Sequence, residues 1–309
     1  MAASTLTRRL QASRDCRTEA SEEASAPHGE SSVVEHLQKW YVSNVTAHGD
    51  SSDGAGHGSG RETVGPLPLP ADRNDTLWKL QPATAAKHAL YKKYLDAWYP
   101  IMLQSSGRVG ATWKRVTYLD AFAGPGEYLD GDEGSPVFAL DRLLRHEAAS
   151  RMGLSRERVH LVFTESRPDR FEHLKAALTM RFGPVDELQV TVMPREAEAS
   201  AVANVLAESG AWGYPILAVF DSWGNVNVPL NIMRRFATNP AGEVIVTFGP
   251  NWFSRREDLN PDMLDAVFGG RAYWEPADRE ARPDQRWRTW LDGDSRRAAR
   301  WTAHIVVCR

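Results

Sequence analysis

Between residues 116 and 249, five short apolar runs alternate with segments of helical periodicity. The runs are "VTYLDAF" (116–122), "VHLVFTE" (159–165), "LQVTVM" (188–193), "ILAVFDS" (216–222) and "EVIVTFG" (243–249). They are largely continuous rather than apolar-polar alternating. Both faces of such strands must be covered, a condition met by parallel sheets wrapped in helices. Helical stretches at 136–149, 168–181, 197–209 and 229–238 supply the crossovers. Right-handed crossovers predict an α/β fold: a doubly wound, mostly parallel sheet with helices on both faces. More helix is expected at 261–268 and within 284–301, and "TAHIVVC" reads as a further strand.

A long amphipathic helix over 84–103 precedes the first strand. Leu90, Tyr91, Tyr94, Leu95, Trp98, Ile101 and Met102 recur at helical spacing, with Lys92, Lys93 and Asp96 on the other face. Pro100 is expected to kink or end it. Lys87 and His88 read as an ordinary exposed pair. Residues 1–74 are rich in Ser, Gly, Ala and His, too poor in apolar residues to offset chain entropy. The expected division is a disordered extension at 1–74, with one short helical island at "VVEHLQKWYV", and an α/β domain at 75–309.

Composition narrows the function. A net charge of −3 does not suit a nucleic-acid binder. Two cysteines, Cys16 and Cys308, make neither a zinc ligand set nor a framework of disulfides, and fit a reducing, cytoplasmic compartment. No apolar run reaches the roughly 20 residues that span a bilayer, and no metal site is expected.

In a doubly wound sheet, ligands sit beyond the carboxyl ends of the strands. The first strand end is "DAFAGPGEYLDGDEGSP". Gly124 and Gly126 permit a tight turn and close approach of a ligand to backbone. No Gly-Lys-Ser/Thr follows, which excludes a Walker-type phosphate loop. The next helix starts late, with Ser135 as N-cap and Pro136 at the first helical position. Glu127, Asp130, Asp132 and Glu133 lie between; individually they read as a solvated loop, yet together they repel a pyrophosphate. S-adenosylmethionine carries a sulfonium and an ammonium and no phosphate, so the acidic turn suits it better than NAD or ATP.

Asp120, Gly124 and Gly126 are therefore the expected cofactor turn. Glu165 ends the second strand, where a carboxylate accepts from ribose hydroxyls; the competing reading is an exposed acid paired with Arg167 or Arg170. Asp221 and Trp223 end the fourth strand, where a methyl acceptor would meet the cofactor. Asp221 would orient or deprotonate it, and Trp223 either stacks on a flat substrate or packs in the core. Glu196 and Glu198 read as helix-start acids, and Asn251 and Trp252 as lining the acceptor side.

"DAFAGPGEYLDGDEGSPVFAL" closely resembles the three-Cys-motif partner protein family, TcmP: a glycine turn, a Tyr, an acidic Gly-containing loop and a Gly-Ser-Pro helix start. "LWKLQPATAAKHALYKKYLDAWYPIM", "FTESRPDRFEHLK" and "FDSWGNVNVPLNIMRRFATNPAGEVIVTFGPNWFSR" are similar to other parts of it. The resemblance runs from about residue 75 to the end. It implies a Rossmann-like, class I methyltransferase fold, S-adenosylmethionine as cofactor, and a three-Cys-motif protein as partner. It supplies no acceptor. "DAFAG" is also similar to the cofactor motif of DNA cytosine methyltransferases, which adds Phe122 and the adjoining Ala123 to the candidate site. Two departures matter. The family's Asp-Pro-Phe-Gly stands here as Asp221-Ser222-Trp223-Gly224, which puts amine methylation in doubt. The closing antiparallel strand has no counterpart after "TAHIVVC", so either truncation or an exposed sheet edge is expected. A non-catalytic binding subunit of the partner is the alternative to an enzyme.

Overall fold

The computed structural model describes residues 75–104, 113–222, 228–247 and 259–274, and the backbone of two short strands, β1 (Ala20–Glu23) and β7 (Thr302–Ile305). The expected strand near the C-terminus exists as β7, but it pairs antiparallel with β1 in a separate two-stranded sheet. The helix expected within 284–301 lies outside the described residues, as does the island at "VVEHLQKWYV".

The main sheet has five strands: β2 (Val116–Asp120), β3 (Val159–Glu165), β4 (Thr191–Glu196), β5 (Ile216–Phe220) and β6 (Gly242–Val246). Their order is β4-β3-β2-β5-β6 and every pairing is parallel. The helices are α1 (Pro82–Leu103), α2 (Ser135–Leu144), α3 (Pro168–Phe182), α4 (Val202–Glu208), α5 (Leu230–Ala237), α6 (Pro261–Phe268) and α7 (Arg271–Trp274). This is an α/β architecture.

The buried residues form two clusters, one on each face of the sheet. Tyr118, Leu161, Phe163, Leu217 and Val219 face α1, α2 and α3 through Trp98, Phe138, Leu140 and Leu174. Leu119, Val162, Ala218 and Phe220 point the other way, against Val202 and Leu206 of α4 and Phe236 of α5. Successive strand residues alternate between the clusters, as a pleated strand requires. Every residue of β2, β3 and β5 is buried, which explains their continuous apolar sequence.

Helix α1 does not end at Pro100; it continues to Leu103. Proline lacks the N–H that would bond the carbonyl of Asp96. That carbonyl is taken instead by His146 Nε2 at 2.9 Å, while His146 Nδ1 accepts the Ala148 N–H at 3.0 Å. The ring is thereby held as the tautomer that donates from Nε2. At the C-terminus, Arg158 donates to the Leu103 carbonyl (2.7 Å) and to that of Trp113 (3.0 Å), bonding a terminal carbonyl of α1. Among the described residues no helix is long and apolar enough to cross a membrane.

Candidate functional site

Strand order reverses between β2 and β5, the position where a sheet of this kind leaves a crevice for a ligand. Three sequence-predicted carboxylates gather at this end of the sheet. Asp120 is the last residue of β2, Glu165 the last of β3, and Asp221 follows β5.

Asp120 is 1% exposed. Its Oδ1 accepts the Phe122 N–H at 3.2 Å, and its Oδ2 is buried without a partner. Burial pushes its carboxyl up to about 7, with Asp221 and Glu165 adding to the rise; the Ser135 hydroxyl and the Phe122 N–H oppose it. The carboxyl is thus closed off from solvent, with Oδ2 unpaired. Phe122 is half-buried against the α4–α5 side of the core, and Ala123 is buried with its N–H on the Thr164 carbonyl (3.0 Å), bracing the turn against β3.

Glu165 is buried rather than exposed, and its charge acts on both Arg167 and Arg170. Its Oε1 accepts the backbone N–H of Arg167 at 2.8 Å. Asp221 is tightly held. Lys87 Nζ donates to both of its oxygens, at 2.7 and 2.8 Å, and the Tyr91 hydroxyl donates to Oδ2 at 3.2 Å. The single Tyr91 proton is then spent, so Thr247 Oγ1, 2.9 Å away, donates to Tyr91. Burial, and after it Asp221, keep the Tyr91 phenol well above its ordinary range and therefore neutral.

Lys87 and His88 are not an exposed pair. The Lys87 side chain is 20% exposed and ion-paired with Asp221, and His88 is buried with its ring edge-on to Phe138. Burial lowers the His88 imidazole to about 4; Asp221 opposes the shift, while Lys87 and Lys92 reinforce it. At neutral pH His88 is uncharged, with the Tyr128 hydroxyl 3.5 Å from its Nε2.

The acidic loop is a small hairpin. Glu127 and Glu133 form an antiparallel bridge, Tyr128 N–H bonds the Asp132 carbonyl (2.9 Å), and Gly134 N–H bonds the Gly126 carbonyl (2.7 Å). A Cβ at Gly134 would meet the Gly126 carbonyl at 2.7 Å, so only glycine closes this neck. Gly134, not Ser135, takes the cap position of α2, and Ser135 is its first residue. The acids are shared out. Asp130 and Asp132 face solvent, Glu133 pairs with Lys92 (3.3 Å) and Arg181 (2.6 Å), and Glu127 lies 3.3 Å from His173 Nε2.

Beneath the hairpin lies a cavity of about 60 Å³, lined by Gly124, Gly126, Tyr128, Ser135, Trp78 and Arg170 among others. Gly124 adopts φ +65° with nothing within 4 Å of where a Cβ would stand, so the turn presents bare backbone to open space. The segment ahead of α1 crosses this mouth. Thr76 Oγ1 donates to Asp169 (2.7 Å), and the Trp78 carbonyl accepts the Leu129 N–H (2.9 Å).

No protein-family model matches the chain, and no curated protein matches it. The site is therefore read from its own chemistry. Asp120, Ala123, Gly124, Gly126, Glu165 and Asp221 come to one end of the sheet. Trp223, Asn251 and Trp252 lie outside the described residues. Glu196 is the exposed last residue of β4 rather than a helix-start acid, while Glu198 stands at the N-cap position of the short 3-10 turn Ala199–Ala201 without a side-chain capping bond. Lys87, Tyr91, Trp78 and Arg170 are additions. Lys87, Tyr91, Tyr94 and Trp98 share one helical stripe at spacings of four and three, the one signal that could have marked Lys87 as inward-facing.

Proposed function

We propose that this chain is an S-adenosylmethionine-dependent methyltransferase with a Rossmann-like, class I fold, acting with a three-Cys-motif partner protein as the family resemblance implies. The observation that carries the reading is the buried, partnerless Oδ2 of Asp120 beside a glycine turn at the switch point of the sheet. The residues present fit the cofactor. Gly124 leaves open space against bare backbone, and Asp120 and Glu165 are buried acceptors. S-adenosylmethionine, when bound, supplies a methyl group activated on a sulfonium. Glu165 would accept from the ribose diol, and Asp120 would face the positive end of the ligand. Asp221 would meet the acceptor, with Lys87 and Tyr91 fixing its orientation.

The same contacts favour a second reading, a binding subunit without catalysis. Lys87 and Tyr91 fill three of the roughly four acceptor positions of the Asp221 carboxylate and leave one on Oδ1, so the group is committed mainly to contacts within the chain.

Calorimetric titration of the intact protein with S-adenosylmethionine and S-adenosylhomocysteine tests the leading reading. Binding is expected, and Glu165→Ala should weaken it by roughly 10-fold or more through loss of charge-assisted hydrogen bonds. No binding of either ligand, or unchanged affinity in Glu165→Ala, would overturn it. Radiolabelled methyl transfer into a cell extract containing the partner separates enzyme from binding subunit.

A further inference from the structure

Residues 75–81 run ahead of α1 without regular secondary structure and pass over the cavity under the hairpin. Thr76 and Trp78 line that cavity together with Gly124 and Gly126 of the glycine turn. The segment is tied to both rims. On the α3 side, Thr76 Oγ1 donates to Asp169 at 2.7 Å and Arg170 Nη2 donates to the Asp75 carbonyl at 3.1 Å. There the centre of the Trp78 ring also lies 3.6 Å from Arg170 Cζ. On the hairpin side, the Leu129 N–H donates to the Trp78 carbonyl at 2.9 Å. The segment is a strap laid from α3 across to the hairpin.

The strap is lightly held. Asp75, Lys79 and Gln81 are exposed, and the residues between them are only half-buried. Closure also has a cost. Under the Trp78 ring, Arg170 is 8% exposed and its Nε is buried without a partner. A guanidinium donor cut off from water costs free energy that rehydration on release of Trp78 would recover. Helix α1 is anchored farther along the chain, by the buried Leu95, Trp98, Tyr99 and Leu103, whereas nothing from Pro82 to Lys87 is fully buried. Gln81 is still extended, and Pro82 opens the helix, so the junction between them is the natural hinge. The cavity that remains under the strap holds about 60 Å³. A pocket for a small-molecule ligand needs roughly 300 Å³ or more.

We propose that residues 75–81 form an autoinhibitory strap: the structure is the closed form, and a cofactor of nucleoside size reaches the glycine turn only after the strap lifts from α3 and the hairpin. The inference rests on the cofactor reading above and adds its regulation. Binding draws on the open fraction of the protein, so the observed affinity is the intrinsic one reduced by that fraction. The strap then competes with the ligand instead of building its site, and those two roles have opposite signatures.

Calorimetry with S-adenosylhomocysteine on the full chain compares the wild type with Thr76→Val and Trp78→Ala, which each loosen the strap. Both variants should bind more tightly, Thr76→Val by about 3- to 10-fold, the factor that one hydrogen bond contributes. Weaker binding would make the strap a wall of the ligand site, and unchanged binding would make it a bystander. Either result overturns the proposal and leaves the cofactor reading standing. Amide exchange in the wild-type protein gives a second measurement that needs no variant to fold. The Leu129 N–H is bonded to the strap, so S-adenosylhomocysteine should speed its exchange even as the ligand binds. Slower or unchanged exchange at Leu129 would mean that the strap stays down over the bound ligand, and would overturn the proposal. Binding by Trp78→Ala but not by the wild type would support it. No binding by any of the three proteins would remove the cofactor reading, and this inference with it.

Discussion

Asp120 concentrates the chemistry of the site in one side chain. Its carboxyl stands near 7 against 3.8 for a solvated aspartate, chiefly because it is buried. Between those values the folded state binds a proton that the unfolded state has released. The contribution of Asp120 to stability therefore falls as pH rises from about 4 to 7, by something on the order of a few kcal/mol, and levels off above, while His88, lowered to about 4, contributes in the opposite sense between about 4 and 6.5. Asp120→Asn keeps an oxygen for the Phe122 N–H but cannot ionise. Because the His88 contribution is common to both proteins, the stability of Asp120→Asn relative to wild type, read by urea denaturation, should rise between about pH 4.5 and 7.5; an unchanged difference would contradict the assignment. Asp120, Glu165 and Asp221 were legible in sequence because each closes or follows an apolar run, and strand ends are where such folds place ligands. Lys87 and Arg170 were not. A lysine on a helix looks the same in sequence whether it meets water or a carboxylate 134 residues away. Only the docking of α1 across β5 and β6 makes that choice.

At the level of elements, α1 shows how local chemistry and long-range contacts divide the work. Its apolar spacing identified it over 84–103, with Pro100 expected to kink or end it. The helix survives because His146, from the segment after α2, bonds the carbonyl that proline leaves unpaired. His146→Ala should cost about 1 kcal/mol, the loss of one hydrogen bond to a part-buried acceptor. In a Pro100→Ala background the restored N–H should make the same change cost measurably less, a coupling that a double-mutant cycle in urea reads directly. An additive result would dismiss this account of the helix. Strand boundaries tell a similar story. Periodicity placed the third run of the sheet at 188–193, whereas β4 is Thr191–Glu196. Pairing with His160–Glu165 of β3 set its register, drawing in Pro194, Arg195 and Glu196, which no propensity would choose. Pro194 is tolerated because β4 is an edge strand. The acidic loop likewise looked like open coil, since its hairpin is held by Gly134 against Gly126 and by Lys92 and Arg181 from other helices.

For the molecule as a whole, the five-stranded sheet separates two cores that share its strands. Phe163 fills the α1–α3 side and Phe220 the α4–α5 side, both fully buried. Phe163→Ala and Phe220→Ala should each cost about 3–5 kcal/mol. Because the sheet couples the two sides, each should shift one common unfolding transition, seen alike by circular dichroism and tryptophan fluorescence. Two separated transitions would mean that the sides unfold independently. Continuous apolar strands, alternating helices and glycines at the first strand end were enough to establish the α/β class and the end of the sheet that carries the candidate site, for these follow from burial and backbone geometry along short stretches of chain. The order β4-β3-β2-β5-β6, the locking of Asp221 by Lys87, the stacking of Arg170 on Trp78 and the shift of Asp120 all awaited folding. Each depends on which distant segments meet, and on how much water their meeting leaves behind.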